Sequence, residues 1–309
     1  MNEKSTLFWS SFSLYEKCPQ RFLWSRGWED IDLGAGPGKP KPVTQAPTPR
    51  HHAVMGTVIQ YAIERMYNDE LYKEPKTLVP TLMAIVDREW ERQEDDPRNV
   101  MDYREMELTR SDMLQHCRDA VLNYLKTMKA HKFIGPYARA EVGLVGWIDK
   151  YTQVGGRADV IIRRDDTGIT ILDGKNSKRK DPDPDQLRWY ALLFKLSYKE
   201  LPARIGFVWY RFPYNEENAE TGIDWIPFTD ADLEGIAQRV VLARLDMRKR
   251  KFQPTPSPPD CKYCEYELSC EARQSQRAAN AAKRKPKEDQ APKTPKPELG
   301  PDGFGDLFL

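Results

Sequence analysis

Near residue 135 the apolar residues change their period, so a fold of one secondary-structure class is excluded. Upstream, in "VMGTVIQYAIERMYNDELY", Val58, Ile59, Ala62, Ile63 and Met66 recur at helical spacing. Two more helical stretches cover roughly 76–94 and 105–131. Downstream, "ARAEVGLVGWIDKY", "VGGRADVIIRR" and "GITILDGKNS" alternate or run apolar over short lengths, with glycines between them. That is the pattern of three successive strands. "DPDQLRWYALLFKLSY" returns to helical spacing, and "ARIGFVWYRF" and "GIDWIPF" read as further strands. "TDADLEGIAQRVVLARLDMRKRKF" opens on a Thr or Asp cap and is helical to about residue 251. The order predicts an α/β fold: a mixed central sheet over 138–228, flanked by helices, with a helical part over 55–131.

The ends read differently. Residues 7–28 carry Phe8, Trp9, Phe12, Tyr15, Phe22 and Trp24 and predict an aromatic helix. "LGAGPGKPKPVTQAPTPR", residues 33–50, predicts a mobile loop. "QPTPSPPD" breaks the last helix and leads into "CKYCEYELSC". From about 273 the chain is Lys, Pro, Ala and Gln, too poor in apolar groups to offset its ordering entropy. The expected organisation is one domain over 1–272 and a disordered tail over 273–309.

The formal net charge is +1 although 31% of residues are charged, so any basic surface is local. No apolar run is long enough to span a bilayer, and the N-terminus lacks the order of a secretory signal. A cytoplasmic protein is expected, and there closely spaced cysteines point to metal or cluster ligation rather than disulfides.

Asp159 falls late in one predicted strand, and Asp173, after thirteen intervening residues, ends the next, followed by Gly174 and Lys175. Two adjacent strands ending on one side bring both carboxylates to one point, the oxygen ligation that Mg²⁺ or Mn²⁺ prefers. Lys175 shares the strand face of Asp173 and can position an attacking water or offset charge developing on phosphate. The same stretch also reads as a strand running into an Asp-Gly turn and a solvated basic run. Gln186 and Tyr190 sit four apart on the following helix and share a face.

This ordering, "GGRADVI", "ILDGK" and "QLRWY", resembles the PD-(D/E)xK nuclease superfamily and its RecB-like branch. The resemblance implies a restriction-endonuclease-like sheet. Asp159, Asp173 and the Gly174 carbonyl would hold Mg²⁺ or Mn²⁺, Lys175 would be catalytic, and Gln186 and Tyr190 would orient the lysine and the DNA strand. Glu141 matches a position often acidic there, and an exposed strand glutamate reads equally well. One residue departs from the pattern: where the family has Gly-x-x-x-His, "MGTVIQYAIE" has Gly56 and Gln60. Gln60 can offer a carbonyl oxygen to a cation but no imidazole. Glu64 shares its face, and His51 and His52 are expected in the loop just before.

Cys18 with Cys261, Cys264 and Cys270 gives Cys-x(242)-Cys-x2-Cys-x5-Cys. This resembles the iron–sulfur subset of RecB-like nucleases, which includes helicase–nuclease subunits, CRISPR-associated nucleases and stand-alone phage relatives. A [4Fe–4S] cluster there would clasp the two ends of the domain, a closure of about 5 kcal/mol in the chain-entropy model. Zinc also accepts four thiolates. Cys117 is expected to pack inside a helix, and His116 and His131 to be structural or solvated.

Basic residues cluster in "KNSKRK", in "RKRK" at 248–251 and in "KRKPK" of the tail, and the first two are candidates for a DNA track. The terminal "GFGDLFL" resembles, at Asp306–Phe308, the end of peptides that bind bacterial sliding clamps. The expectation is a DNA exonuclease acting on single strands or duplex ends, in recombination, repair or phage replication. The alternative is a DNA-binding scaffold of the same fold.

Overall fold

The computed structural model describes residues 6–26, 51–97, 99, 108–177, 182–217, 221–262 and 264–283. The expected 33–50 loop, Lys178–Lys180, "RKPK" at 284–287 and the "GFGDLFL" terminus lie outside them. The described elements are β1 (Leu7–Phe8), α1 (Trp9–Lys17), α2 (Pro19–Arg26), α3 (His51–Asn68), α4 (Pro75–Glu94), α5 (Arg110–Ala130), β2 (Ala138–Asp149), β3 (Thr152–Arg164) and β4 (Gly168–Lys175). α6 (Pro184–Tyr198), β5 (Arg204–Trp209), β6 (Ile223–Ile226), α7 (Asp230–Arg248), α8 (Pro258–Cys261) and α9 (Glu271–Lys283) follow. No helix among the described residues is long and apolar enough to cross a membrane.

The six strands form one mixed sheet in the order β1-β3-β4-β5-β6, with β2 on the other side of β3. β3 runs antiparallel to β2 and β4, and β4 runs parallel to β5. A parallel neighbour needs a crossover, and α6 supplies it. α6 starts well: Asp183 caps it by accepting from the Asp185 N–H, and Pro184 takes the first turn, where no donor is lost. α7 opens on a capping box between Thr229 and Asp232.

Each face of the sheet carries its own core. Val160, Ile162, Leu172 and Val208 pack with α3, α4 and α5. Ile161, Ile171, Ile205, Phe207 and Trp209 pack with α1, α2, α6 and α7. The alternation is the two-residue period of a strand buried on both faces. It breaks at one place. Val154 and Ala158 belong to the second core but Val160 and Ile162 to the first. Opposite them, Ala138 and Ala140 belong to the first core and Leu144 to the second. The faces interchange across Asp159 and Glu141, which lie between the pairs Ala140–Val160 and Val142–Ala158. Glu141 has φ of 54° there, in the left-handed region that a side chain adopts at a cost.

Three sequence expectations change. The aromatic N-terminal stretch is two helices after a short strand, because Pro19 cannot continue α1 and forces Cys18 extended at φ −159°, ψ 101°. His51 and His52 form the first turn of α3 rather than a loop. The expected disorder does not begin at 273: α9 runs to Lys283, rich in Ala, Arg and Gln with high helix propensity, and Arg273 is buried in an ion pair with Glu267.

Phe12 ties α1 to the sheet. It is fully buried, stacks on Trp189 of α6 at 5.6 Å and lies under the Arg239 guanidinium of α7. Phe12→Ala should lower unfolding free energy by about 3–5 kcal/mol, read from the urea midpoint.

Candidate active site

The backbone ladder between β3 and β4 runs from Arg164–Gly168 to Val160–Leu172 and stops, while β4 stays paired to β5 as far as Lys175–Trp209. Past Leu172 the two strands part. The Gly174 N–H loses its place in the β3 ladder and donates to Asp159 Oδ2 at 2.8 Å. In an extended strand the N–H and C=O of one residue point to the same side, so the Gly174 carbonyl faces that opening too. A Cβ on Gly174 would stand 1.7 Å from Tyr210 Oη, so this residue must be glycine.

Asp173, Lys175 and Gln186 close into a ring. Gln186 Nε2 donates to Asp173 Oδ1 at 3.0 Å, and Lys175 Nζ donates to Gln186 Oε1 at 3.0 Å. The Lys175 ammonium also touches Asp173 Oδ2 as a close ion pair. Tyr190, one turn beyond Gln186 on α6, is buried, and its hydroxyl is held well above the usual range by burial and then by the Asp173 and Asp159 charges. Gln60 arrives from α3, its Nε2 donating to Glu141 Oε1 at 2.7 Å. Tyr210 Oη donates to Gln60 Oε1 at 3.3 Å. Glu64 lines the same open cleft as Gln60 and Glu141. Asp159, Asp173, Lys175 and Gln186 therefore meet at one opening of the sheet, with Glu141 near enough for its charge to act on both aspartates and Gln60 bonded to Glu141.

Burial raises the Asp159 carboxyl well above the ordinary carboxylate range, the Asp173 charge raises it further, and the Gly174 N–H opposes the rise. Asp173 is also raised, by burial first, with Lys175 opposing. Two buried carboxylates with one lysine between them carry excess negative charge. That charge, the two carboxylates and the unladdered Gly174 carbonyl form a hard oxygen donor set that fits a divalent cation. Among the described residues no three His, Cys, Asp or Glu side chains are gathered closely enough to hold one ion together.

Sequence reasoning missed Tyr210. It closes the floor under Gly174, and its hydroxyl is pushed far up by burial and then by Asp159 and Asp173. Its ring meets Tyr124 at 5.9 Å, and Tyr124 shares a hydrogen bond with Tyr67 at 3.0 Å. Its only sequence signal was an aromatic residue within the predicted strand "ARIGFVWYRF". His116 is held by Asn176 at 2.9 Å and His131 by the Thr221 carbonyl at 2.7 Å. Cys117 packs as expected: it is fully buried, and burial pushes its thiol up to about 12.

The four remaining cysteines line one cavity without gathering closely enough to hold a single ion. Cys18, extended between α1 and α2, lines one cavity with Cys261, Cys264 and Cys270. Burial raises the Cys264 thiol; the nearby Arg21 works against that rise, and Cys18 adds to it. Around the cavity, Tyr266 donates to the Trp24 carbonyl at 2.9 Å, and Arg21 forms an ion pair with Glu265 at 2.7 Å.

The mixed sheet thus splits to present two aspartates and a lysine, backed by a glutamine from the crossover helix. The chain belongs to the PD-(D/E)XK nuclease superfamily, whose family profile matches residues 9–271. Nucleases of this family generally use divalent metals and act on nucleic acid. Among solved structures, the crystal structure of SSO0001 matches over 71% of this chain and 85% of that chain, at 19% identity and a TM-score of 0.31. A search of curated proteins gives no match.

The repulsion has a measurable sign. With divalent ions chelated, Asp159→Asn should be more stable than the wild type at pH 8. Each unit by which the native pKa exceeds the unfolded value costs about 1.4 kcal/mol above that native pKa. The cost fades as pH falls toward the ordinary value of about 3.9, so the gain in melting temperature should shrink on acidification. A gain that grows on acidification would contradict the charge assignment.

Proposed function

We propose that the chain is a Mg²⁺- or Mn²⁺-dependent deoxyribonuclease, an exonuclease on single-stranded DNA or duplex ends, with a structural [4Fe–4S] clasp. The observation that carries the catalytic reading is the Asp173–Gln186–Lys175 ring beside Asp159. Asp159, Asp173 and the Gly174 carbonyl would hold the cation. When bound, it supplies positive charge against the phosphoryl oxygens. Lys175 Nζ orients the attacking water and offsets charge that grows on the phosphate. Gln186 fixes Lys175 by accepting its proton-bearing nitrogen while donating to Asp173, so the lysine keeps one rotamer. Tyr190 stiffens the same helix face. Gln60, engaged by Glu141 and Tyr210, would reach the cation through water or its amide oxygen.

The clasp reading is supported by four thiols around one cavity, one from between α1 and α2 and three from the segment that follows α7. A polynuclear cluster is wider than one ion and suits thiols that ring a cavity without meeting at a point. Tying Cys18 to the C-terminal segment would brace the helices that pack beneath α6. A sliding clamp or another replication or recombination protein is the partner proposed for the C-terminal "GFGDLFL".

The decisive measurement compares wild type and Lys175→Ala on 5′- and 3′-labelled single- and double-stranded DNA with Mg²⁺ or Mn²⁺. Wild type should cut and the variant should lose about 10²–10³ in rate. If both are equally inert, the chain is a DNA-binding scaffold instead. For the clasp, protein purified without oxygen should be brown with broad visible absorbance, and Cys18→Ser should lose that colour and melt earlier. A colourless wild type loaded with zinc would remove the cluster.

A further inference from the structure

One residue past Lys175 the character of the site reverses. Asn176 is met there by side chains from two other segments. Arg211, just after β5, donates from Nε to the Asn176 carbonyl at 2.8 Å. His116 of α5 holds the Asn176 side chain, Nε2 to Oδ1, at 2.9 Å. His52 of α3 stands close enough for its charge to act on His116, as do those of Arg211 and of the acid Asp119 on α5. His116, Asn176 and Arg211 are half-buried, and His52 is exposed.

Arg211 is the unusual member. Arg118 is paired with Asp87, Arg188 with Asp185, and Arg239 with both Glu16 and Asp185. Among the described residues no carboxylate stands against Arg211, and its only hydrogen bond is the one to Asn176. Burial alone acts on its ionisation. A partly desolvated guanidinium without a counter-ion is costly unless it serves an anion that arrives later. Its remaining N–H donors form a planar fork suited to the oxygens of a phosphate.

We propose that Arg211, with His116 and His52, forms a second phosphate subsite, which holds the DNA phosphate adjacent to the scissile one. The proposal rests on the nuclease reading for the identity of the strand. An extended residue advances the chain by about 3.3 Å, so Asn176 places this subsite directly beside Lys175. One phosphate would then meet Lys175 and the acidic pocket while its neighbour is gripped by Arg211. The grip sets register: it fixes which linkage lies over Asp159 and Asp173. Its chemistry suits either an internal phosphodiester or a terminal 5′-phosphate.

The test is the salt dependence of binding, followed by fluorescence anisotropy. Full-length protein is titrated, with Ca²⁺ in place of Mg²⁺, into a 3′-labelled single-stranded oligonucleotide carrying either a 5′-hydroxyl or a 5′-phosphate. Arg211→Gln should reduce the slope of log K against log salt by about 0.7, the loss of one single-strand phosphate contact. Arg211→Lys keeps the charge and should keep the wild-type slope. A reduction with both oligonucleotides assigns the subsite to an internal phosphodiester; a reduction confined to the 5′-phosphorylated one assigns it to the strand end. An unchanged slope in Arg211→Gln on both overturns the proposal, as does an equal loss in Arg211→Lys. The two readings fail separately. A wild type that cuts DNA but shows no Arg211 dependence keeps the nuclease and loses the subsite. A wild type that never cuts but shows the slope change keeps the subsite and loses the catalysis.

Discussion

The structure turns on the parting of β3 and β4 beyond the Val160–Leu172 pair. A sheet that ends a ladder in its interior leaves backbone groups that must be satisfied some other way. Here the Asp159 carboxylate takes the Gly174 N–H. That single bond carries the fold across the gap and fixes one acid beside the other. β4 does not fray at the split because its other edge remains paired to β5 as far as Lys175. Lys175 therefore stands on a rigid strand at the rim of an opening.

Strain and repulsion gather at the same opening. Glu141 sits at positive φ directly opposite Asp159, where β2 and β3 exchange the faces they present to the two cores. Asp159 and Asp173 are buried near each other with a single lysine as counter-ion. Beneath them lie Tyr210, Tyr124 and Tyr67, which cannot share the charge, since burial keeps all three hydroxyls protonated. Two well-packed cores, one on each face of the sheet, hold these unfavourable groups in place. A region of opposite sign, around Arg211, begins one residue further along the chain. An anion laid across this boundary would meet a lysine and an arginine in succession.

Much of this was legible before any coordinates. The change of period located the sheet, and α3 to α7 fall where helical spacing placed them, with ends shifted by a few residues. Asp159, Asp173, Lys175 and Gln186 were named from strand ends and a helix face, which are local properties, and Gln60 from the family resemblance. The misreadings have local causes as well. Apolar content missed α9, whose order comes from helix propensity and the Arg273–Glu267 pair rather than from a core face. The aromatic N-terminal run hid the break that Pro19 makes beside Cys18.

The sequence by itself determined the class of fold, the acids and lysine at strand ends, and the four thiols held near opposite termini, because period, proline and spacing act over a few residues. Tertiary structure alone decided that β4 leaves β3 at Leu172, that Tyr210 fills the space a glycine leaves, and that Glu141 is turned to positive φ against Asp159. It alone left Arg211 without a carboxylate among the described residues. Those features depend on which strands pair and how far, and on which side chains meet from segments up to 150 residues apart, as Gln60 and Tyr210 do. Pairing over such distances is settled by the packing of the whole chain and leaves no local signature.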